Sequence, residues 1–182
     1  MTEDRSYFDN PDGTSRVKHS AEIICFTKFF LIDSMAVYGA AMPDPEGVRH
    51  VLPPDASPED LGSAIRDALD RSRFIPPSHP EFSKLFKERR AEELVDAYDA
   101  ELMRLAGVKT KASLYRGAKG GYVTFWPDHN EIQVHVAARR KGRYFWSNKG
   151  DPVGKRTIPA DASAGELGEA YLAALAESGQ VS

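Results

Sequence analysis

The sequence predicts a single α+β domain in which about three helices pack on a mainly antiparallel β-sheet. Three observations support this fold class: a capped helical segment that occurs twice, an apolar segment rich in β-branched and aromatic residues near the N-terminus, and alternating apolar and polar residues in the last third of the chain. Of the 182 residues, 41% are hydrophobic and 28% are charged, which suits one domain with its own core.

The first part of the chain combines a polar arm with apolar strands. Residues 1–20 contain Asn-Pro-Asp-Gly and few large apolar side chains, which predicts a flexible arm before a domain over residues 21–182. Residues 22–33 are rich in β-branched and aromatic residues and predict one or two buried strands. A turn at residues 42–47 and a short strand at residues 49–52 lead into the first helix.

The first helix belongs to a segment that is written twice. Residues 53–72 match residues 159–178 at 10 of 20 positions. In each copy a serine precedes an acidic residue by three positions, the pattern of a helix N-cap whose hydroxyl accepts from a backbone N–H. These pairs are Ser57 with Asp60 and Ser163 with Glu166. Apolar residues then recur at helical spacing.

The repeat therefore predicts two similar helices, over residues 57–73 and 163–178. A glycine occupies the first turn of each, Gly62 in the first copy and Gly168 in the second. Glycine inside a helix costs about 1 kcal/mol relative to alanine. Its presence in both copies indicates that the backbone of a neighbouring element comes close to each helix.

A third helix is predicted between the two repeats. The proline-rich residues 75–80 predict a loop, and residues 87–106 predict a helix that ends at Gly107. Its apolar residues are expected to face the core: Leu94, Val95, Tyr98, Leu102 and Leu105. The other side carries acidic residues: Glu92, Glu93, Asp96 and Asp99. Such a run is typical of a solvated helix surface, and it also offers an acidic patch to a basic partner.

The last third of the chain predicts a β-meander closed by the second repeat helix. Ile132, Val134 and Val136 are expected on one side of a strand, with Gln133 and His135 on the other. Turns that contain Gly, Asp or Asn separate the predicted strands, which are residues 113–116, 121–126, 131–137, 143–146 and 156–158.

No motif for catalysis, cofactor binding or metal binding occurs in the sequence. The five histidines do not pair at metal-ligand spacing, and HExxH, CxxC and G-x-S-x-G are absent. The single Cys25 lies among apolar neighbours, as a buried structural thiol does. The chain also has no membrane-spanning apolar stretch and no signal-peptide pattern. We therefore expect a soluble cytoplasmic protein that is not an enzyme and uses no cofactor or metal.

Charge is unevenly distributed, although the net charge is only −3. Residues 109–156 contain 11 Lys and Arg against 3 Asp and Glu, a balance of +8, and the rest of the chain has 13 against 24, a balance of −11. Cationic and aromatic residues cluster there: Arg139, Arg140, Lys141, Arg143, Tyr144, Phe145 and Trp146. Such residues hold phosphates and stack on bases, so a nucleic-acid-binding module using hairpin 139–146 is one alternative function.

Six segments follow one another in a recognisable order. They are FTKFFLIDS (26–34), YGA (38–40), SPEDLGSAIRDALDRSR (57–73), GVKTKASLY (107–115), WP (126–127) and LGEAYLAAL (167–175). In this order and spacing, the chain resembles the immunity proteins of bacterial contact-dependent growth inhibition systems over residues 26–178. The resemblance implies the fold predicted above and a role without turnover.

The resemblance also implies a partner. Such proteins stay in the cytoplasm of the cell that makes the toxin and bind the C-terminal toxin domain, commonly a nuclease, of a large secreted protein delivered by sibling cells. A nuclease needs a cationic groove, and carboxylates that fill it give fast association and a tight complex. The expected acidic contacts are Asp60, Asp67, Asp70, Glu92, Asp96 and Asp99. If the toxin surface is acidic instead, the expected contacts are Arg139, Arg140 and Arg143.

Overall fold

The computed structural model describes residues 18–38, 40–88, 90–141, 144–145 and 153–179, and for residues 90–92, 139–141 and 144–145 it describes the backbone alone. The strands are β1 (His19–Cys25), β2 (Phe30–Tyr38), β3 (Ala40–Pro43), β4 (Arg49–Leu52), β5 (Arg73–Phe74), β6 (Lys119–Trp126), β7 (Glu131–Lys141), β8 (Tyr144–Phe145) and β9 (Gly154–Pro159). The helices are α1 (Pro58–Asp70), α2 (Arg90–Ala106), α3 (Lys111–Leu114) and α4 (Ala164–Glu177), and a π-helical turn covers Ser83–Lys87.

All nine described strands belong to one sheet, which is antiparallel except where β5 pairs with β2. The central strands are β1 and β6, and they are flanked by β2 and β7. β4 pairs with the first half of β2 and β3 pairs with its second half, both on its outer edge. In the same way, β9 pairs with the first part of β7 and β8 pairs with its last part. The predicted α+β class, with N-terminal strands and a C-terminal meander in one sheet, is confirmed.

The duplication extends from the two helices to the strands. One module consists of β1, β2, β4 and α1, and the pairing within it is repeated by β6, β7, β9 and α4. β1 pairs antiparallel with β6, and a pseudo-two-fold axis that relates the two modules passes between Glu22 and its partner Tyr122. The duplicated part of the sheet therefore has the order β4-β2-β1-β6-β7-β9.

The two glycines explain how α1 and α4 come together. A Cβ atom on Gly62 would lie 1.7 Å from the carbonyl oxygen of Ala164, and one on Gly168 would lie 1.8 Å from that of Pro58. The first turns of the two helices thus touch backbone to backbone, which confirms the predicted close approach. The serine caps predicted for both helices are also present.

The main core lies between the inner face of the sheet and the pair α1 and α4. Alternate residues of the strands meet the apolar sides of both helices there. Its fully buried members include Ile23, Ile32, Leu61, Ile65, Val123, Ile132, Val136, Leu167 and Tyr171. As the alternation predicted, Gln133 and His135 lie on the other side of the sheet from this cluster.

The outer face of the sheet is covered differently in the two modules. Over the first module, Leu102 of α2 packs on Ile24 and Leu31 in a second buried cluster, together with Leu114 of α3 and Tyr115, which follows that helix. Among the residues described, no buried cluster includes an outward-pointing side chain of β6, β7 or β9. The pseudo-symmetry of the sheet is therefore broken by what covers it.

A short loop at residues 44–48 separates β3 from β4 and is held by Arg73. The Arg73 guanidinium donates to both carboxylate oxygens of Asp44, at 2.6 Å each, and to Glu81 at 2.9 Å. Hydrogen bonding to Asp44 is the first cause that raises the pKa of Arg73 well above its usual value. In the second repeat the counterpart of Arg73 is Gly179, so this ion pair belongs to the first module alone.

Three local expectations differ from the structure. Residues 113–116 were expected in a strand, but Lys111–Leu114 is helical because the Thr110 hydroxyl accepts from the Ser113 N–H and begins a turn. Leu105, expected in the core, is 42% exposed. β1 begins inside the range predicted for the flexible arm, whose residues 1–17 lie outside the described chain.

Candidate functional site

The acidic residues of α1 lie on the side of this helix that faces away from the sheet. Leu61, Ile65 and Leu69 are buried against the core, because they follow one another at helical spacing. Asp60 and Asp70 are consequently exposed to solvent. Their exposure is as expected from the sequence, and the Asp60 carboxylate also accepts a hydrogen bond from Ser57 Oγ at 2.6 Å.

Asp67 lies between α1 and the edge strand β4. His50 Nε2 is 2.8 Å from Asp67 Oδ2, and Arg71 Nε donates to Asp67 Oδ1 at 3.2 Å. The hydrogen bond with His50 is the main cause that lowers the pKa of Asp67 below its usual value, so this carboxylate is ionised at neutral pH.

A groove of about 370 Å³ runs between α1 and β4. Asp60 and Asp67 supply its two carboxylates, and the remaining lining residues are His50, Leu52, Pro53, Ala56, Ser63 and Ala64. Carboxylates above an apolar lining suit a lysine or arginine side chain, whose methylene stem is apolar and whose end is charged.

Carboxylates also lie on the other side of β4. The Arg49 guanidinium donates to Asp33 at 2.7 and 2.9 Å, is 3.5 Å from Glu101 and lies 4.0 Å from the ring centre of Tyr98. Glu101 is half-exposed. We refer to β4 with Asp60, Asp67 and Glu101 as the acidic edge. Arg49 and Glu101 were not among the predicted site residues, since only the packing of α2 beside β4 brings them together.

Asp99 does not belong to an exposed stripe with Asp96, contrary to the expectation from sequence. Asp96 is exposed and pairs with Lys111, whereas Asp99 is only 3% exposed. The Tyr115 hydroxyl donates to Asp99 at 2.6 Å, and Lys111 Nζ is 3.1 Å from its other oxygen. These two partners offset the free-energy cost of burying the Asp99 carboxylate. The side of α2 that faces the core therefore carries Asp99 and Leu102, and Leu105 lies on the exposed side.

Asp99→Ala is therefore expected to destabilise the fold. The free energy of unfolding should fall by about 2–3 kcal/mol, because Tyr115 would lose its buried acceptor. Asp96→Ala is the matched control, and its exposed ion pair should contribute less than about 0.5 kcal/mol. Urea unfolding followed by circular dichroism measures both, and equal effects would contradict a structural role for Asp99.

Four predicted contacts are not described in atomic detail. Residue 92 lies in α2, but the side chain of Glu92 is outside the described chain. β7 pairs with β8 at Arg139 opposite Phe145, so the backbone does form the predicted hairpin. The side chains of Arg139 and Arg140, and all of Arg143, lie outside the described residues.

The described residues show little that resembles an active site. They contain no group of three His, Cys, Asp or Glu side chains arranged to hold a metal ion. Burial raises the pKa of the Cys25 thiol, which opposes formation of the reactive thiolate, although Lys119 acts in the other direction. None of the described helices is both long and apolar enough to cross a membrane.

Comparison with known proteins gives a consistent result over almost the whole described chain. A family model described as "CdiI: CDI immunity protein" matches residues 19–178. Immunity protein CdiI-YPIII of Yersinia pseudotuberculosis serotype O:3 (strain YPIII) is 31% identical over 160 residues, which cover 82% of this chain and 89% of that protein.

Two solved structures share the fold. The chain aligns with the "CdiA-CT/CdiI toxin and immunity complex from Yersinia pseudotuberculosis" at a TM-score of 0.77 and 28% identity, covering 90% of this chain and 98% of the matched one. It aligns with the "Protein of Unknown Function NMB0488 from Neisseria meningitidis" at a TM-score of 0.79 and 20% identity, covering 90% and 97% of the two chains. At this lower identity the likeness shows the fold alone.

Proposed function

Because the chain belongs to the CDI immunity protein family, we propose that it neutralises the C-terminal toxin domain of its cognate contact-dependent growth inhibition protein by stoichiometric binding. The family match over residues 19–178 carries this proposal. It is supported by the similarity to a chain solved in a toxin and immunity complex. We further propose that the protein acts in the cytoplasm of the cell that produces the toxin and catalyses no reaction.

The toxin domain is proposed to be a nuclease that the acidic edge and neighbouring carboxylates engage. A nuclease binds an anionic substrate in a cationic groove, and carboxylates complement such a groove. The proposed contacts are Asp60, Asp67, Asp70, Asp96, Glu101 and, from its position in α2, Glu92. Asp99 is excluded because it is buried. The hairpin residues Arg139, Arg140 and Arg143 remain the proposal for an acidic toxin surface.

The function can be tested with the domain encoded by the reading frame directly upstream of this one. Its expression alone should stop bacterial growth, and co-expression with this protein should restore it. The two proteins should also co-purify in a 1:1 ratio. Nuclease activity of the isolated domain should disappear at an equimolar amount of this protein. Failure to form a complex, together with failure to protect, would refute the proposed function.

The acidic contacts can be tested by charge reversal. Asp60→Lys with Asp70→Lys should weaken binding to that domain by about tenfold or more, mainly through slower association. The exposed pair Asp161→Lys and Glu169→Lys changes the net charge equally in the other module and should leave the affinity within about twofold. Asp96→Lys tests α2 separately. Biolayer interferometry at two salt concentrations measures the rates, and equal losses in both double variants would remove α1 from the interface.

A further inference from the structure

The two modules share one sheet architecture but differ in what lies over its outer face. Over the first module, α2 and α3 pack on the outward side chains of Ile24 in β1 and Leu31 in β2. At the position of the second module that is equivalent to Leu31, Gln133 is exposed, and Lys155 and Thr157 of the neighbouring strand β9 are exposed as well. We call this surface, formed by the outward residues of β6, β7 and β9, the open face.

The open face contains a cleft of about 380 Å³ near the pseudo-two-fold axis. One side of the cleft is lined by Lys18, which precedes β1, by Ser20 of β1 and by Ala41 of β3. The remaining lining residues belong to β6 and β7: Tyr122, Thr124, Gln133 and His135. None of the described residues that line the cleft is a carboxylate, and the nearby Glu131 accepts a hydrogen bond from Gln133 at 2.7 Å. Lys155 lies beside His135 across the β7–β9 pair.

The charge of this surface selects the chemistry of an occupant. Lys18 and Lys155 are cationic, and β7 continues from the cleft into the basic segment that contains Arg139. Burial, with a smaller effect of Lys155, lowers the pKa of His135, so this ring is neutral at neutral pH and adds hydrogen-bonding capacity without charge. A surface with two ammonium groups and several polar side chains complements carboxylates.

We propose that the open-face cleft binds an acidic segment of the cognate toxin domain. This rests on the proposed function and adds a second contact region to it, one that shares no residue with the acidic edge. The similarity to a chain solved in a toxin and immunity complex supports a protein as the occupant. The arm 1–17 is a weaker choice, because the family match begins only at residue 19. A cleft of this size takes a few side chains and supplies part of an interface of about 800 Å² per partner.

Charge reversal tests the cleft directly. Lys18→Glu with Lys155→Glu should weaken binding of the upstream-encoded toxin domain by about tenfold or more, with a loss that shrinks at high salt. Lys84→Glu with Lys109→Glu is the control, because both lysines are exposed outside the cleft and the net charge changes equally. This control should bind within about twofold of the unmodified protein.

A steric variant separates shape from charge. Thr124→Trp places a large ring in the cleft without changing the charge, and should also weaken binding by about tenfold or more. Circular dichroism and the unfolding midpoint establish that each variant is folded. If Thr124→Trp unfolds the protein, Gln133→Trp on the exposed side of β7 replaces it with the same expectation.

The outcomes separate this inference from the proposed function. If the unmodified protein does not bind the toxin domain, the proposed function fails. If it binds, and the Lys18 and Lys155 variant binds equally well, the cleft proposal is overturned while the proposed function stands. If deletion of residues 1–17 strengthens toxin binding, the arm occupies the cleft and the proposal is overturned. It is also overturned if a single-stranded oligonucleotide binds the protein alone and the double variant abolishes that binding.

Discussion

Arg73→Met is expected to lower the free energy of unfolding by about 3–5 kcal/mol, the largest effect of any substitution considered for this protein. The Asp44 side chain is fully buried, and Arg73 supplies both of its charged hydrogen bonds. Removing the guanidinium leaves this carboxylate without a counter-charge. The same substitution also removes the hydrogen bond from Arg73 to Glu81. Urea unfolding monitored by circular dichroism measures the loss.

Two controls make this prediction specific. Arg71→Met removes an arginine that is 61% exposed and also pairs with an aspartate, so it should cost less than about 0.5 kcal/mol. The double variant Asp44→Leu with Arg73→Met removes both charges, and it should be more stable than Arg73→Met alone because no unpaired carboxylate remains. A double variant less stable than the single one would show that the charge of Asp44 is not the source of the loss.

Gly168→Ala is expected to cost about 3 kcal/mol, the second-largest effect. Its new methyl group would lie 1.8 Å from the Pro58 carbonyl oxygen, so the backbones of α1 and α4 must separate and the core between them must open. The gain in helix propensity from alanine, about 1 kcal/mol, is too small to offset this.

Gly165→Ala in the same helix is the matched control for Gly168→Ala. Its new Cβ would lie 3.0 Å from the end of the Glu59 side chain, which is flexible and can move away, and 4.0 Å from Ser163 Oγ, an ordinary contact distance. The control should therefore be neutral or slightly stabilising. If both alanine variants unfold at the same urea concentration, close helix contact is not the reason for glycine at position 168.

The helices and most strands were predictable because their signals are local. Serine caps, helical spacing and alternation each act over a few residues, and they located α1, α4 and β7 within a few positions. The repeat of the strands was not predictable. Aligned by their pairing, β2 and β7 share one residue, Ala36 with Ala138, because either sheet module accepts any residues of suitable polarity.

The candidate site was predictable only in part, for a related reason. The exposure of Asp60 and Asp70 follows from the apolar stripe of their own helix. The inward position of Asp99 depends on Tyr115, and the acidic edge depends on Arg49 lying beside Tyr98 of α2. Such contacts join residues far apart in sequence, and no local pattern records them.

The pairing of β1 with β6 has a consequence for how the chain folds during synthesis. Glu22 meets a residue 100 positions later, Tyr122, and contacts this distant in sequence form slowly. While the ribosome is still translating the second module, the emerging first module exposes a bare strand edge and an uncovered helix, both of which favour aggregation. The main core is therefore completed only when α4, which packs against both α1 and the sheet, has been synthesised.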